Sequence, residues 1–360
     1  MTGFALASVS ASLDHTCGVD KSGRAFCWGA NTFGKLGDGT LHDRTTPVPV
    51  LGGLRFQSVS AGAFLTCGVL QDGRIACWGR NTRGHAGNGT TTASIVPVAV
   101  SGGNAFTSVS VSATFPPPAA NGDGGSHTCG ITQSAQALCW GNNDAGQVGD
   151  GSTTERRTPA AVEGGHAFTA ISTGAKHTCG LTKAGRALCW GAGALGNGSA
   201  ATTSPVAVSG DYALSAIASG SDFSCGVVKG GDQVICWDQN PPTVRSGFTA
   251  SAISAGAGHV CGASARGTWC SGRNDRGQLG NGTSFDTPGV VPVSLSQGLR
   301  GISNASDSSK LASPGLLASA FASWLLRTSL AISRRAGRPH HSLPIRATQR
   351  RPRRGYSAAT

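Results

Sequence analysis

Cysteine, histidine and tryptophan recur at fixed spacings in this chain, and each could do chemistry. The twelve cysteines fall into six pairs: Cys17/Cys27, Cys67/Cys77, Cys129/Cys139, Cys179/Cys189, Cys225/Cys236 and Cys261/Cys270. Paired thiolates could bind zinc, but zinc knuckles hold them only about two to four residues apart. They could shuttle electrons, but redox pairs take the C-x-x-C form. Neither spacing occurs here. A third chemistry is a covalent staple. In the first pair a turn centred on Ser22, bent by Gly23, places Cys17 directly across a two-strand ladder from Cys27. Opposed Cα atoms in such ladders lie ~4.5–5.5 Å apart, within disulfide range. One disulfide per pair is expected in an oxidising compartment, contributing ~2–3 kcal/mol for so short a loop. In the cytosol the same residues would be small buried apolar groups.

The other chemical residues follow the same repeat. His15, His127, His177 and His259 precede the first cysteine of a pair, but Leu65 and Phe223 stand there in two units. A histidine that leucine can replace reads as a hydrogen-bonding core residue, and no Ser-His-Asp or Cys-His arrangement stands out. "GANTFGKLGDGT" (29–40) is glycine-rich, yet it holds neither Gly-Lys-Ser/Thr nor G-x-G-x-x-G. Asp38, Asn88, Asp150, Asn197 and Asn281 are expected in left-handed turn positions ahead of a glycine. Trp28, Trp78, Trp140, Trp190 and Trp237 follow the second cysteine and are expected to pack between units. Trp269 precedes its cysteine, which predicts the opposite strand face. No catalytic residue, metal site or cofactor is expected.

The elements that position these residues are short strands. Charged residues make up only 13% of the chain and Gly 55 of 360, a balance that favours tight turns over long amphipathic helices. Six units align on their first cysteines, at spacings of 50, 62, 50, 46 and 36 residues. Each carries an alternating stretch such as "FTAISTG" (168–174), then "TCG", then "CWG" or its equivalent, then a Pro-Val strand such as "TTPVPVL" (45–51). Four short strands per unit, in series, predict an all-β fold, a β-propeller of four-stranded blades.

The motif "HTCG…CWG.N..G.LGDGT" resembles the regulator of chromosome condensation repeat family over about residues 4–303. That resemblance implies a ring of usually seven blades, so the six recognisable here are six of an expected seven. The cysteine-bearing form is similar to bacterial exported members and to the ectodomains of plant Crinkly-type receptor kinases. It implies a non-enzymatic propeller that binds a protein or ligand through face loops. Guanine-nucleotide exchange, as in the namesake that acts on Ran, is an alternative, as is inhibition of an enzyme, as in the related β-lactamase-inhibitor propeller. The Crinkly-type kinase function is excluded, because the chain has no Gly-rich ATP loop, HRD or DFG. The tryptophan motif of the family's UV-B photoreceptors is also missing.

The domain reading is a propeller over 1–309, with units near 4–53, 54–103, 104–165, 166–210, 211–246 and 247–298. An aborted seventh unit covers 299–309, where "LRGISNASDSSK" aligns with "FTAISTGAKHTC" and puts Lys310 in the place of Cys179. Residues 310–360 hold ten Lys/Arg and no acid, so they read as a disordered basic tail or an out-of-frame segment. Residues 1–309 are net +2 and carry no electrostatic footprint for nucleic acid. An unclosed ring predicts weak stability or aggregation. Unit three holds an insertion, residues 112–126, whose Phe115, Pro116, Pro117 and Pro118 form a stiff apolar knob ahead of Asp123 and flexible glycines. It is the candidate partner-binding loop. No membrane-spanning run is present. The expected form is a monomer with an unknown protein or surface ligand as partner. It would be extracytoplasmic or secreted if a signal peptide precedes this sequence, and otherwise cytoplasmic.

Overall fold

The computed structural model describes residues 5–112 and 126–294. The Phe115–Pro118 knob, Asp123, the 299–309 segment and the 310–360 tail lie outside the described residues. The 24 strands form six antiparallel four-stranded sheets, each built from strands consecutive in sequence. Blade one is β1 (Leu6–Ala11), β2 (His15–Asp20), β3 (Ala25–Gly29) and β4 (Arg44–Pro49). Blade two is β5 (Phe56–Ala61), β6 (Leu65–Leu70), β7 (Ile75–Gly79) and β8 (Ser94–Ala99). Blade three is β9 (Phe106–Val111), β10 (His127–Thr132), β11 (Ala137–Gly141) and β12 (Arg156–Ala161). Blade four is β13 (Phe168–Thr173), β14 (His177–Thr182), β15 (Ala187–Ala192) and β16 (Ala201–Ala207). Blade five is β17 (Leu214–Ser219), β18 (Ser224–Val228), β19 (Gln233–Trp237) and β20 (Thr243–Thr249). Blade six is β21 (Ala252–Ala255), β22 (His259–Ser264), β23 (Gly267–Gly272) and β24 (Thr287–Pro292).

The first strand of each blade packs on the first strand of the next, in order from β1 to β21. No comparable contact joins β21 back to β1 among the described residues. The second strands of blades two, three and four are buried almost throughout, because a neighbouring blade covers each face. The interior is accordingly a series of inter-blade cores. The cysteine face of blade three (Cys129, Ile131, Cys139, Val148) meets Phe168, Leu188 and Trp190 of blade four. The same composition recurs between blades one and two, two and three, and four and five.

Two glycines show why the repeat holds its residue types. Gly180 follows Cys179 at the point where the Phe168 ring crosses the strand, and a Cβ there would sit 2.4 Å from that ring. Gly149 takes φ +80° in the loop after β11, and a Cβ would lie 2.5 Å from the Trp190 indole of the next blade. The expected left-handed Asp and Asn do not take that conformation. Gly37 and Gly39 on either side of Asp38 carry the positive φ (69° and 76°). Asp38 accepts hydrogen bonds instead, from Thr40 and from Asn31.

Trp269 also departs from expectation. Positions immediately before and after Cys270 are two apart and so share one strand face. Trp269 therefore faces blade five, packing on the core that holds Phe248 and Val260. It reaches the interface that the other tryptophans serve, from a neighbouring register position.

Candidate functional site

The twelve cysteines are brought together as expected. Cys17 stands opposite Cys27, Cys67 opposite Cys77, Cys129 opposite Cys139, Cys179 opposite Cys189, Cys225 opposite Cys236 and Cys261 opposite Cys270. Each pair is joined as a disulfide. The geometry corrects the sequence reading in one respect. The Cα atoms are closer than the ~4.5–5.5 Å of an ordinary ladder. They lie 4.0 Å apart in Cys67–Cys77 and Cys225–Cys236 and 4.1 Å apart in the other four, because the covalent bridge draws the strands together. The turns absorb the unequal spacings of the last two pairs. Cys225 and Cys236 are 11 apart, the extra residue being taken up in the turn that carries Gly230 and Asp232 at positive φ. Cys261 and Cys270 are 9 apart, with Gly267 alone at positive φ in their turn. All twelve are buried, Cys77 at 0% and Cys236 at 3% exposure, so no sulfur faces a partner or a substrate. The pairs position the blades and are not themselves a functional site. Among the described residues no cluster of His, Cys, Asp and Glu is arranged to hold a metal ion.

The repeated histidines join blades. His15 reaches Thr66 of blade two at 2.9 Å, His127 reaches Thr178 of blade four at 2.6 Å, and His177 reaches Ser224 of blade five at 2.9 Å. Thr66 gives its own proton to the Lys35 carbonyl, Thr178 to the Gln147 carbonyl and Ser224 to the Ser219 hydroxyl. In each pair the histidine must then be the donor, so the network puts a proton on Nε2. Burial depresses the His15 and His177 rings, and it pushes His177 down to about 3. Buried and bonded to a neighbouring blade, these histidines are architecture.

The antiparallel order puts the turns after the first strands and the loops after the third strands at one end of the ring. The loops are organised by a buried asparagine. Asn143 accepts from the Val148 amide and donates toward Asp150, Ser152 and Thr154. Asn31, Asn81 and Asn274 do the same in their blades. Blades four and five have no such asparagine: Gly193 stands in its place in blade four, and blade five lacks the loop. One G-x-G-x-x-G run does lie here, Gly191 to Gly196, but it leads into β16, so no helix N-terminus faces it.

Between blades one and two this loop end carries a cluster that periodicity did not single out. Phe33 lies in a three-residue 3-10 turn (Thr32–Gly34) and takes φ +65°, the left-handed region that a bulky residue avoids. Its ring meets Phe64 edge-on, with centroids 6.0 Å apart. The Arg80 guanidinium lies 5.0 Å from the Phe33 centroid and 5.4 Å from that of Phe64. Beneath them, the fully buried Lys35 ammonium donates to Asp14 at 2.6 Å and lies 5.8 Å from the Phe64 ring. Burial raises the Asp14 carboxyl, but the neighbouring His15 and Lys35 outweigh it and hold it below the usual carboxylate range. Phe33 remains 37% exposed, so the cluster has an aromatic surface. A recess lined by Phe64, Arg80, Val111, Ser112 and Ser126 adjoins it, with room for about one water. Ser112 and Ser126 flank the insertion, which therefore leaves and re-enters the ring at this end. The sequence signal for the cluster was "GAFLT", where Phe64 and Leu65 displace the repeat's usual polar residues.

Six sequential four-stranded sheets around a common axis, joined by a repeated side-chain seam, define a repeat β-propeller. Models of the regulator of chromosome condensation (RCC1) repeat match residues 22–69 and 135–181 in one form, and 7–35, 56–84 and 168–197 in another. Over these segments the chain carries repeats that match the regulator of chromosome condensation repeat family. No curated protein matches the sequence. Among solved structures, human WBSCR16 superposes with a TM-score of 0.70 at 17% identity, over 81% of this chain and 82% of that one. Prp20p from Saccharomyces cerevisiae gives 0.67 at 16% identity, over 80% and 76%. The ectodomain of the Physcomitrella patens receptor kinase CR4 gives 0.52 at 21% identity, over 74% of this chain and 61% of that one. These likenesses show the shared fold. Among the described residues no helix is long and apolar enough to cross a membrane.

Proposed function

We propose that the protein is a non-enzymatic binding propeller that works in an extracytoplasmic, oxidising compartment and grips a protein partner with its loop end. The observation that carries this reading is the Phe33–Phe64–Arg80 cluster. Aromatic rings and arginine dominate the energetic centres of protein interfaces. A bulky residue held at positive φ on a rigid scaffold is a strain that function accounts for better than folding does. The insertion at 112–126, with Phe115, Pro116, Pro117, Pro118 and Asp123, belongs to the same end by connectivity and would enlarge the surface. The recess beside Phe64 and a second one lined by Val208, Tyr212 and Ile235 each have room for about one water.

Six cysteine pairs with no thiol left over support an oxidising compartment. Likeness to a receptor-kinase ectodomain points the same way. The structure of Prp20p is reported with its binding properties to Gsp1p and histones, which supports protein binding as the general role of this scaffold. It also keeps nucleotide exchange as a second reading, but six disulfides weigh against an intracellular exchange partner.

The test is affinity capture from the extracytoplasmic fraction of the source cells. Three baits are compared: wild type, Phe33→Ala/Arg80→Ala, and Lys183→Ala/Arg186→Ala at the opposite end. A species kept by the first and third baits and lost by roughly tenfold from the second supports the loop end. Equal retention by all three overturns it.

A further inference from the structure

Three loops of the ring carry an Asn-Gly pair at one repeat position: Asn88–Gly89 in blade two, Asn197–Gly198 in blade four and Asn281–Gly282 in blade six. Blades one and three hold Asp38 and Asp150 there, and each carboxylate meets an arginine at the start of the outer strand, Arg44 and Arg156. In blades two, four and six the register puts Ser94, Thr202 and Thr287 in the place of that arginine. The side chains of Asn88 and Asn281 are held alike. Asn88 Oδ1 accepts from the Thr90 amide at 3.1 Å, the Thr90 hydroxyl at 2.9 Å and Asn81 Nδ2 at 3.2 Å. Asn281 Oδ1 accepts from the Thr283 amide at 3.1 Å, the Thr283 hydroxyl at 2.9 Å and Asn274 Nδ2 at 3.2 Å. The glycines that follow share one conformation, φ +83° at Gly89 and +84° at Gly282. One contact separates the two sites. The Gly89 N–H donates to the Arg157 carbonyl of blade three at 2.9 Å, and the Gly198 N–H to the Gln239 carbonyl of blade five at 2.9 Å. The Gly282 N–H has no acceptor among the described residues, and a Cβ on Gly282 would meet nothing within 4 Å.

We propose that Asn281–Gly282 is a self-modifying site, at which the Gly282 backbone nitrogen converts Asn281 to aspartate and isoaspartate. The nitrogen gives up its proton to water and bonds to Asn281 Cγ, closing a five-membered imide. The Cγ–Nδ2 bond breaks, and Nδ2 takes up a proton and leaves as ammonia. Water then opens the imide at one carbonyl or the other, so the only co-reactant is water. The three donors on Asn281 Oδ1 stabilise the negative charge that develops there as the ring closes. Asn281 Nδ2 makes no hydrogen bond among the described residues, so nothing holds the leaving group. Asn88 sits in the same cradle, but its attacking nitrogen is tied to blade three. The product differs from Asp38 and Asp150, because Thr287 stands where an arginine would answer its charge. The asparagine-centred loop of blade six therefore gains an unpaired carboxylate.

The test uses the full wild-type chain, incubated folded at mildly alkaline pH and, in parallel, in denaturant. Peptide mapping by mass spectrometry follows the amide-to-acid mass gain at Asn88, Asn197 and Asn281, and isoaspartyl methyltransferase labels the isoaspartate. Conversion of Asn281 severalfold faster than Asn88 and Asn197 in the folded sample, with the three rates converging in denaturant, supports the proposal. An unconverted Asn281, equal rates at the three sites in the folded sample, or the same preference for Asn281 in denaturant overturns it.

Discussion

The seam between blades three and four and the seam between blades five and six do the same job with different chemistry. In the first, His127 donates to Thr178, Thr178 and the Trp190 indole both donate to the Gln147 carbonyl, and Ser110 accepts from Thr173. In the second those positions are Phe223, Val260 and Ala218, the asparagine-centred loop is gone, and the Trp269 indole Nε1 is buried without a partner. Phe248 from β20 covers Gly262 much as Phe168 covers Gly180. Both seams nevertheless join complete four-stranded blades with a cysteine pair at the centre, Cys225–Cys236 in blade five as much as Cys129–Cys139 in blade three. Hairpin, cysteine pair and an apolar side chain over glycine, Phe168 over Gly180 or Leu214 over Gly226, are therefore enough to make a blade. The polar network adds orientation, and it costs stability wherever one of its members is left unanswered.

The comparison can be broken most severely at tryptophan. Trp190→Ala removes a fully buried indole and should destabilise by ~3–5 kcal/mol, whereas the half-buried Trp269→Ala should cost clearly less. Urea denaturation of the two variants decides it, and equal losses would mean that the two seams are equally loaded. Replacing Cys179 and Cys189 by serine should cost about 2–3 kcal/mol by the same measurement. Next comes Thr178→Val, which strands the buried His127 donor and should cost ~1–3 kcal/mol. The reverse change in the apolar seam, Val260→Thr, has no histidine to answer it and should gain nothing. A further effect is on pH dependence. His177 stays neutral in the fold down to about 3, while the unfolded chain takes up a proton near its ordinary 6.5. Stability is therefore full above 6.5 and falls by up to about 1.4 kcal/mol per pH unit between 6.5 and 3. Melting temperature against pH should be flatter in His177→Leu, the replacement already present as Leu65 in blade two. Parallel profiles would contradict a neutral buried histidine.

Much of this was legible in the sequence, because the repeat averages over its own exceptions. The Cys17/Cys27 register followed from one turn, and four strands per unit followed from alternation and punctuation. The asparagine hub was not legible, because Asn31 and its partners Asp38 and Thr40 all read as ordinary turn residues. Which of them takes positive φ depends on the Trp78 indole pressed against Gly37, a contact from the next blade. The Trp269 expectation missed the period of two. The Phe33–Phe64–Arg80 cluster was hidden for another reason: it joins a loop of blade one to a turn and strand end of blade two. Repeat positions are compared down the chain, and that contact runs across it.

The account rests most heavily on the cysteines being staples in an oxidising compartment rather than reactive groups. Protein purified from its source cells can be alkylated under denaturant, with and without prior reduction, and weighed by mass spectrometry. The account predicts no label without reductant and all twelve cysteines labelled after it. Label on any of the six pairs before reduction would contradict it.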